Sequence, residues 1–332
     1  MADEESREHT GDAAEGPELR LGVSSCLLGE KVRFDGGHKH SRYLTASLGR
    51  YVRFYPLCPE VEIGLGTPRP TIRLEQDPES DLPRLVEPRT GDDLSDRMRD
   101  WAAKKMAEID EWDLHGYVLK KGSPSCGLFR VRVYADNGMP NRDGRGLFAE
   151  VLTKRFPMLP VEEEGRLNDP PLRESFIERL FIHERWKKML AENPTSGGLV
   201  EFHTCHKLTL MAHSPDHYRR CGRLVADGKR PWEELRDEYA VTFNDGLRRL
   251  ASRGRHTNVL QHVMGFVKND LSPEGKAELI GLIEDYRLGL VPLVVPVTLL
   301  KHHLRRHDAP EWINKQVYLH PYPKELMLRN QI

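Results

Sequence analysis

The sequence predicts an α/β domain with a mostly parallel sheet, followed by an all-α domain. In the first half, strand-like runs of apolar or alternating residues are separated by a segment of helical periodicity. In the second half, almost every segment has the amphipathic pattern of a helix. The 332 residues are enough for two domains with separate cores.

Strand-like runs occur four times in the first half. Their sequences are LRLGVSS, which ends at Ser25, YVRFYPL (51–57), LHGYVLK (114–120) and FRVRVYAD (129–136). Between the second and third runs, residues 95–112 place apolar side chains at helical spacing, with Ser95 as a candidate N-cap. Strands that alternate with helices predict parallel pairing, so we expect a Rossmann-like sheet.

The second half contains five helical patterns before a pair of prolines, Pro292 and Pro296. These patterns cover 173–190, 200–213, 232–251, 256–270 and 275–289. We place the domain boundary in the turn-rich stretch near 160–170, which predicts one domain over 19–165 and another over 166–332. Residues 1–18 carry seven acidic residues and one arginine, and we expect a disordered tail there.

The composition is that of a globular protein, with 38% hydrophobic and 30% charged residues. No apolar run reaches the length of a membrane span, and the acidic N-terminus lacks the apolar core of a signal peptide. We therefore expect a cytoplasmic protein, with no membrane contact and no obligate protein partner. Residues 166–332 hold 26 basic against 21 acidic residues, which is compatible with a phosphate-bearing partner.

Three of the five cysteines stand just beyond the end of a predicted strand: Cys26, Cys58 and Cys126. Because the carboxyl ends of parallel strands gather at one edge of an open sheet, these three thiols can converge. Small and turn-forming residues flank each of them, which leaves backbone N–H groups free to bind thiolates or cluster sulfides. Cys205 and Cys221 lack such neighbours, so we interpret them as ordinary free thiols.

The residues alone leave several interpretations of the three cysteines open. Free cysteine is among the most buried residue types, so all three could simply pack in a core. A zinc site is a second interpretation, although structural zinc usually takes close-spaced pairs and four ligands. A single nucleophilic cysteine would not need three such positions. Disulfides are not expected in a chain without a secretion signal.

Three segments of the first half closely resemble the thiouracil desulfidase family: SSCLLGEKVRFDGGHK, PLCPEVEIGLGTPRPTIRL and LKKGSPSCG. The resemblance implies an α/β fold that holds a 4Fe–4S cluster by three cysteines, here Cys26, Cys58 and Cys126, with one iron left open. It also implies that Glu60 and Ser125 are the catalytic pair. From the residues alone, Glu60 could instead be a capping carboxylate and Ser125 a turn residue.

The implied chemistry is the removal of sulfur from a thiolated nucleobase. An iron without a protein ligand is a Lewis acid with affinity for sulfur, which suits a thiocarbonyl. Water can then replace the sulfur with a carboxylate as general base, without net electron transfer. Two further stretches are candidates for contacts at the site or are simple turns, namely residues 33–38 and Arg69 on its proline-rich loop.

Segments of the second half resemble the YbgA-like helical domain family, which is commonly fused to the desulfidase domain: FHTCHKLTLMAHS, LQHVMGFVKNDLS and VYLHPYPKELMLRNQI. Proteins with both domains are similar to tRNA 4-thiouridine desulfidases, which implies thiolated tRNA as partner and uridine as product. Candidate RNA-binding residues are His203, His206, Lys207, His213 and Lys268. A metal site at His203 and His206, or plain core packing of the histidines, are the alternatives.

Two other functions stay open from the sequence. The substrate could be free thiouracil, as for the single-domain relatives, with the helical domain serving oligomerisation. A non-catalytic iron–sulfur sensor or RNA-binding module is the other rival, and such a protein would respond to redox state without releasing sulfide.

Overall fold

The computed structural model describes residues 19–135, 137–307 and 309–332, so the tail predicted over 1–18 lies outside the described residues. The elements of the first half are β1 (Leu19–Ser24), β2 (Val52–Leu57), α1 (Pro59–Glu62), β3 (Arg73–Asp77), β4 (Ser80–Val86), α2 (Ser95–Glu111), β5 (Gly116–Leu119), β6 (Val131–Tyr134), β7 (Pro140–Gly144), α3 (Leu147–Arg155) and β8 (Val161–Glu163).

The predicted parallel sheet is confirmed. Strands β2, β1, β5 and β8 pair in that order, and every pair is parallel. All four residues of β5 are buried, as expected for a strand that is covered on both faces. Helices α2 and α3 cover one of these faces, with Met106 and Phe148 packing in the same core as Tyr117 of β5.

A second sheet lies beside the first, with strand order β4, β3, β6 and β7. Only β3 and β6 pair in parallel in it, and the other two pairs are antiparallel. The sequence predicts only β6 of this sheet. Strands β3 and β7 are rich in charged residues, and Pro83 interrupts the pattern of β4, which is an edge strand where proline is tolerated.

The second half is helical, as predicted. Its helices are α4 (Pro170–Glu192), α5 (Ser196–His213), α6 (Pro215–Ala226), α7 (Trp232–Leu247), α8 (Arg253–Met264), α9 (Pro273–Leu288), α10 (Val294–Arg306) and α11 (Glu311–Asn314). Several helices begin at a side-chain cap: Asp169 accepts from the Leu172 N–H, and Thr195 from the Gly198 N–H. No helix in the described part of the chain is long and apolar enough to cross a membrane.

Helix α4 belongs to the cores of both halves. Its residues Phe176, Ile177 and Leu180 pack in one cluster with Leu21 of β1 and Val118 of β5. The contact is close, since a Cβ at Gly116 would lie 2.1 Å from Leu180 Cδ2. The predicted boundary near residue 165 therefore separates strands from helices along the chain, but it does not separate their cores.

Candidate active site

The three cysteines Cys26, Cys58 and Cys126 follow three adjacent strands of the parallel sheet. Cys26 lies in a 3₁₀ turn directly after β1, and Cys58 is the residue before α1, directly after β2. Cys126 lies in the turn region that follows β5. All three line one cavity of about 290 Å³. The convergence that we predicted from the strand ends is therefore confirmed.

The surroundings of the cysteines favour the neutral thiol over a free thiolate. Burial, followed by the charge of Glu60, raises the pKa of Cys26 to about 11 and that of Cys58 to about 12. Burial also raises the pKa of Cys126. A metal that replaces the three protons removes this penalty, and its binding would release protons.

Two polar groups nevertheless oppose this rise in pKa. The Ser24 hydroxyl, whose oxygen accepts from the Lys120 N–H at 3.0 Å, lowers the pKa of Cys126. The Val61 N–H, in the first turn of α1, lowers the pKa of Cys58. Polar N–H and O–H groups near the sulfurs stabilise the negative charge of cluster ligands.

The donor set of the cavity fits an iron–sulfur cluster. Three cysteines line one cavity, and cysteine thiolates are the usual ligands of such clusters. Within the described ranges, no group of three or more His, Cys, Asp or Glu side chains is close enough to hold one metal ion.

Glu60 is the carboxylate of the cavity. It is 8% exposed, and its Oε2 accepts a hydrogen bond from the Cys58 thiol at 3.4 Å. Its Oε1 accepts from the Ser123 hydroxyl at 3.1 Å. The Ser123 oxygen in turn accepts from the backbone N–H groups of Ser125 and Cys126, each at 3.1 Å. Ser123 thus ties the carboxylate to the turn that carries the third cysteine.

The two serines of the Ser-Pro-Ser sequence occupy different positions relative to the cavity. Ser125 is not part of the cavity wall, is 0% exposed, and its Oγ has no hydrogen-bond partner among the described residues. The turn closes through the Gly127 N–H and the Ser123 carbonyl at 2.8 Å, and Gly146 packs against the backbone of Ser125. The hydroxyl that faces Glu60 therefore belongs to Ser123, the other serine of the Ser-Pro-Ser sequence.

Positive side chains outnumber acids around the cavity. Arg33, Arg69, Lys120 and Lys121 line it, whereas Glu60 is its only acidic lining residue among those described. Lys120 is neutralised by Glu164, with Nζ 2.5 Å from Oε1. The residues of both predicted turn regions, 33–38 and the loop of Arg69, thus contribute to the wall.

The three histidines proposed to bind RNA are buried in the helical half, so that part of the prediction is wrong. His203, His206 and His213 are 6%, 3% and 1% exposed. Each has an internal partner: Nδ1 of His203 lies 3.0 Å from the Tyr239 hydroxyl, Nδ1 of His206 lies 2.7 Å from the Phe202 carbonyl, and Nε2 of His213 lies 2.8 Å from Glu178. The shared helical face that the spacing indicated is real, but it faces the core.

The two lysines of that prediction lie nearer to solvent. Lys207 is half-buried, with Nζ 3.8 Å from the ring centre of Trp312, and Lys268 is exposed. Their contact with RNA stays a prediction. Cys205 and Cys221 are free thiols, and neither lines the cavity, in agreement with the sequence-based interpretation.

Comparison with known proteins finds similarity to both halves. Residues 21–164 match a family model described as 2-thiouracil desulfurase, and residues 207–323 match one described as a protein of unknown function, DUF1722. The uncharacterized protein YbgA of Escherichia coli (strain K12) is 32% identical over 162 residues, which are 47% of this chain and 94% of YbgA.

Two further relatives resemble this chain. The uncharacterized protein YbbK of Bacillus subtilis (strain 168) is 30% identical over 109 residues, which are 32% of this chain and 71% of YbbK. A solved structure of the 4Fe–4S-dependent thiouracil desulfidase TudS is 32% identical, with a TM-score of 0.36, and the match covers 46% of this chain and 95% of TudS.

Proposed function

The chain belongs to the 2-thiouracil desulfurase family through residues 21–164 and to the DUF1722 family through residues 207–323, and on this basis we propose that it removes sulfur from thiouracil by hydrolysis. The observation that carries the proposal is the cavity at the end of the parallel sheet, which three cysteines and a buried carboxylate line together. Both family resemblances that the motifs indicated are confirmed.

A 4Fe–4S cluster on Cys26, Cys58 and Cys126 is part of the proposal. The relative TudS is a 4Fe–4S-dependent enzyme, and the three thiols here line one cavity. When bound, a cluster with three cysteine ligands supplies an open, Lewis-acidic iron that has affinity for sulfur.

Glu60 is the general base of the proposed reaction. It takes a proton from water while the water oxygen bonds to the ring carbon that carries sulfur. The carbon–sulfur bond then breaks, sulfur leaves as hydrosulfide, and a carbonyl remains, so that thiouracil and water give uracil and hydrogen sulfide without any change of oxidation state. Ser123 holds Oε1 of the carboxylate through its hydrogen bond at 3.1 Å, which orients Glu60 toward the cavity.

Free thiouracil is the substrate that we propose first. The matching family model is described as 2-thiouracil desulfurase, and TudS, the relative whose structure is solved, is a thiouracil desulfidase. The cavity combines apolar side chains, which suit a ring, with polar groups that suit its carbonyl and N–H groups: among the apolar ones are Phe34, Leu57 and Ile72.

Isotope labelling tests whether the reaction is hydrolytic. Anaerobically reconstituted protein is incubated with 4-thiouracil in ¹⁸O-labelled water, and the uracil formed is analysed by mass spectrometry. We expect one labelled oxygen in each uracil and one sulfide released for each ring. Sulfide release without label in the uracil would contradict a water nucleophile and with it the role of Glu60.

A second candidate substrate is 4-thiouridine within tRNA. The excess of cations around the cavity supports it, since Arg33 and the exposed Lys121 could meet phosphates next to a thiolated nucleotide. The positive charge of residues 166–332 supports it as well. Nucleoside analysis of tRNA before and after incubation tests it, because conversion of 4-thiouridine to uridine supports this substrate and an unchanged nucleoside content excludes it.

A further inference from the structure

Arg69 enters the cavity from the proline-rich loop that precedes β3. Its side chain is 6% exposed, so its position is fixed by the surrounding protein. Both hydrogen bonds that the guanidinium makes within the described residues start from Nη1, which donates to the carbonyls of Val32 at 2.8 Å and Gly66 at 3.0 Å. These two bonds fix Arg69 to its own loop and to Val32 of the cavity wall, and both come from Nη1.

The opposite edge of the guanidinium donates no hydrogen bond within the described residues. Nη2 forms an ion pair with Glu60 at 4.0 Å from Oε2, which is longer than a hydrogen bond. Nε is buried and has no hydrogen-bond partner among the described residues. Buried donors almost always find an acceptor, so a guanidinium edge without one, at the wall of a substrate cavity, indicates a partner that arrives with the ligand.

We propose that Nη2 of Arg69 donates a hydrogen bond to the carbonyl oxygen of the thiouracil ring and thereby fixes which way the ring enters the cavity. This inference rests on the proposed function. Each monothiolated uracil carries one thiocarbonyl and one carbonyl, so a donor for the carbonyl distinguishes the two ends of the ring. Arginine suits this role because its charge persists when the cavity excludes water and its planar fork is rigid.

Removing the carbonyl from the substrate tests the contact without any change to the protein. Pyrimidine-4-thione has the ring and thiocarbonyl of 4-thiouracil but lacks the 2-carbonyl. The wild-type protein should desulfurate 4-thiouracil with a kcat/KM about 10-fold to 100-fold higher than that for pyrimidine-4-thione, the range expected for a hydrogen bond to a charged donor. Equal kcat/KM values for the two substrates would overturn the inference.

Variants of Arg69 complete a double-mutant cycle, in which the arginine and the carbonyl group of the substrate are removed singly and together. In Arg69→Gln and Arg69→Ala, the ratio of kcat/KM for 4-thiouracil to kcat/KM for pyrimidine-4-thione should fall toward one. The fall should come mainly from a higher KM for 4-thiouracil, since an anchoring contact exists before and during the reaction. Calorimetry gives an independent readout: the two variants should bind uracil and pyrimidin-4-one with similar affinity, whereas the wild type prefers uracil.

Arg73→Ala is the matched control. Arg73 lies four residues further along the chain, at the start of β3, does not line the cavity, and donates from Nε to Glu75 at 2.8 Å. We expect this variant to keep the preference for 4-thiouracil. A preference for 4-thiouracil that persists in both Arg69 variants would overturn the inference and leave Arg69 with a role in holding the loops. Loss of iron from both variants would also overturn it, and would indicate that Arg69 is needed to retain the cluster. An iron-loaded wild type that releases no sulfide would instead contradict the proposed function itself.

Discussion

Glu60 and Ser123 form the pair on which proton transfer depends in this account. The carboxylate is buried between the Cys58 thiol and the Ser123 hydroxyl. Since Ser123 also accepts two backbone hydrogen bonds, its hydroxyl hydrogen is committed to the carboxylate. The hydroxyl therefore positions the base and does not itself attack the substrate.

Variants of these residues should separate catalysis from cluster binding. Glu60→Gln should retain iron and lose about 10²-fold to 10⁴-fold in kcat, the usual worth of a general base. Ser123→Ala should lose activity in the same direction, because Glu60 loses the hydrogen bond that orients it. Iron content and single-turnover rates of sulfide release measure both effects.

Ser125→Ala is the control for this pair. Its hydroxyl is buried without a partner among the described residues, so removing it should change activity little and leave stability unchanged or slightly higher. A large loss of activity in Ser125→Ala, with Ser123→Ala fully active, would restore the role that the family resemblance gave to Ser125.

At the residue level, the sequence predicted the cysteines better than the serine. The carboxyl ends of parallel strands meet at one edge of the sheet regardless of loop conformation, so Cys26, Cys58 and Cys126 could be placed together from the strand pattern. Which serine of Ser-Pro-Ser faces Glu60 depends on the geometry of one turn, which the pattern does not contain. The same limit applies to His206, whose helical face was predicted but whose burial was only one of the alternative interpretations.

Among the elements, helix α4 joins the two halves of the chain. It covers the face of the parallel sheet that α2 and α3 leave open, and Leu180 packs directly over Gly116 of β5. A Cβ at Gly116 would lie 3.0 Å from the Pro160 carbonyl as well, so the strand has no room for a side chain at this position.

Gly116→Ala should therefore destabilise the whole chain. We expect a loss of about 1–3 kcal/mol in the free energy of unfolding, typical of overpacking in a core. Gly281→Ala in α9 is the matched control, because a Cβ there meets no atom within 4 Å. This control should gain up to about 1 kcal/mol, as usual for alanine in a helix. Denaturant unfolding measures both, and an unchanged stability of Gly116→Ala would contradict the close packing of α4.

The buried pair of His213 and Glu178 joins α5 to α4. Burial opposes the charge of His213, but the hydrogen bond and charge of Glu178 prevail and raise the pKa of the imidazole. Burial likewise opposes the charge of Glu178, and the hydrogen bond from His213 prevails and lowers the pKa of the carboxyl. The pair is therefore held in its charged form.

A pH dependence of stability follows. Because its folded pKa is raised, His213 contributes fully below its ordinary value of about 6.5, and the contribution is lost as pH rises through the folded pKa. The melting temperature of the wild type relative to His213→Gln should thus be highest near pH 6 and decline toward pH 8. A difference between the two proteins that stays constant over this range would contradict the charged pair.

For the whole molecule, the sequence predicted the order of the α/β and helical parts but not the way in which they pack together. The change from alternating to helical periodicity marks the transition near residue 165. The amphipathic pattern of α4, however, shows only that one face is buried, not that it packs against β1 and β5. The DUF1722 model begins at residue 207, after α4, which agrees with a helix shared by both cores.

Binding of tRNA, if the second candidate substrate is correct, should depend on salt. Each phosphate contact releases counterions, so the logarithm of the affinity should fall with the logarithm of salt by about 0.9 per contact for duplex-like RNA. Charge reversal at the exposed Lys268 should weaken binding and flatten this slope by about one contact. Salt-insensitive binding, or none, would leave free thiouracil as the only proposed substrate.

We propose that three cysteines hold the cluster at which sulfur is removed. The most direct measurement compares iron content and sulfide release from 4-thiouracil in anaerobically purified wild type, in alanine variants of Cys26, Cys58 and Cys126, and in Cys205→Ala. We predict about four irons per chain and sulfide release in the wild type and in Cys205→Ala, and the loss of both in each of the other three variants. Full iron content and activity in any one of those three would contradict the account.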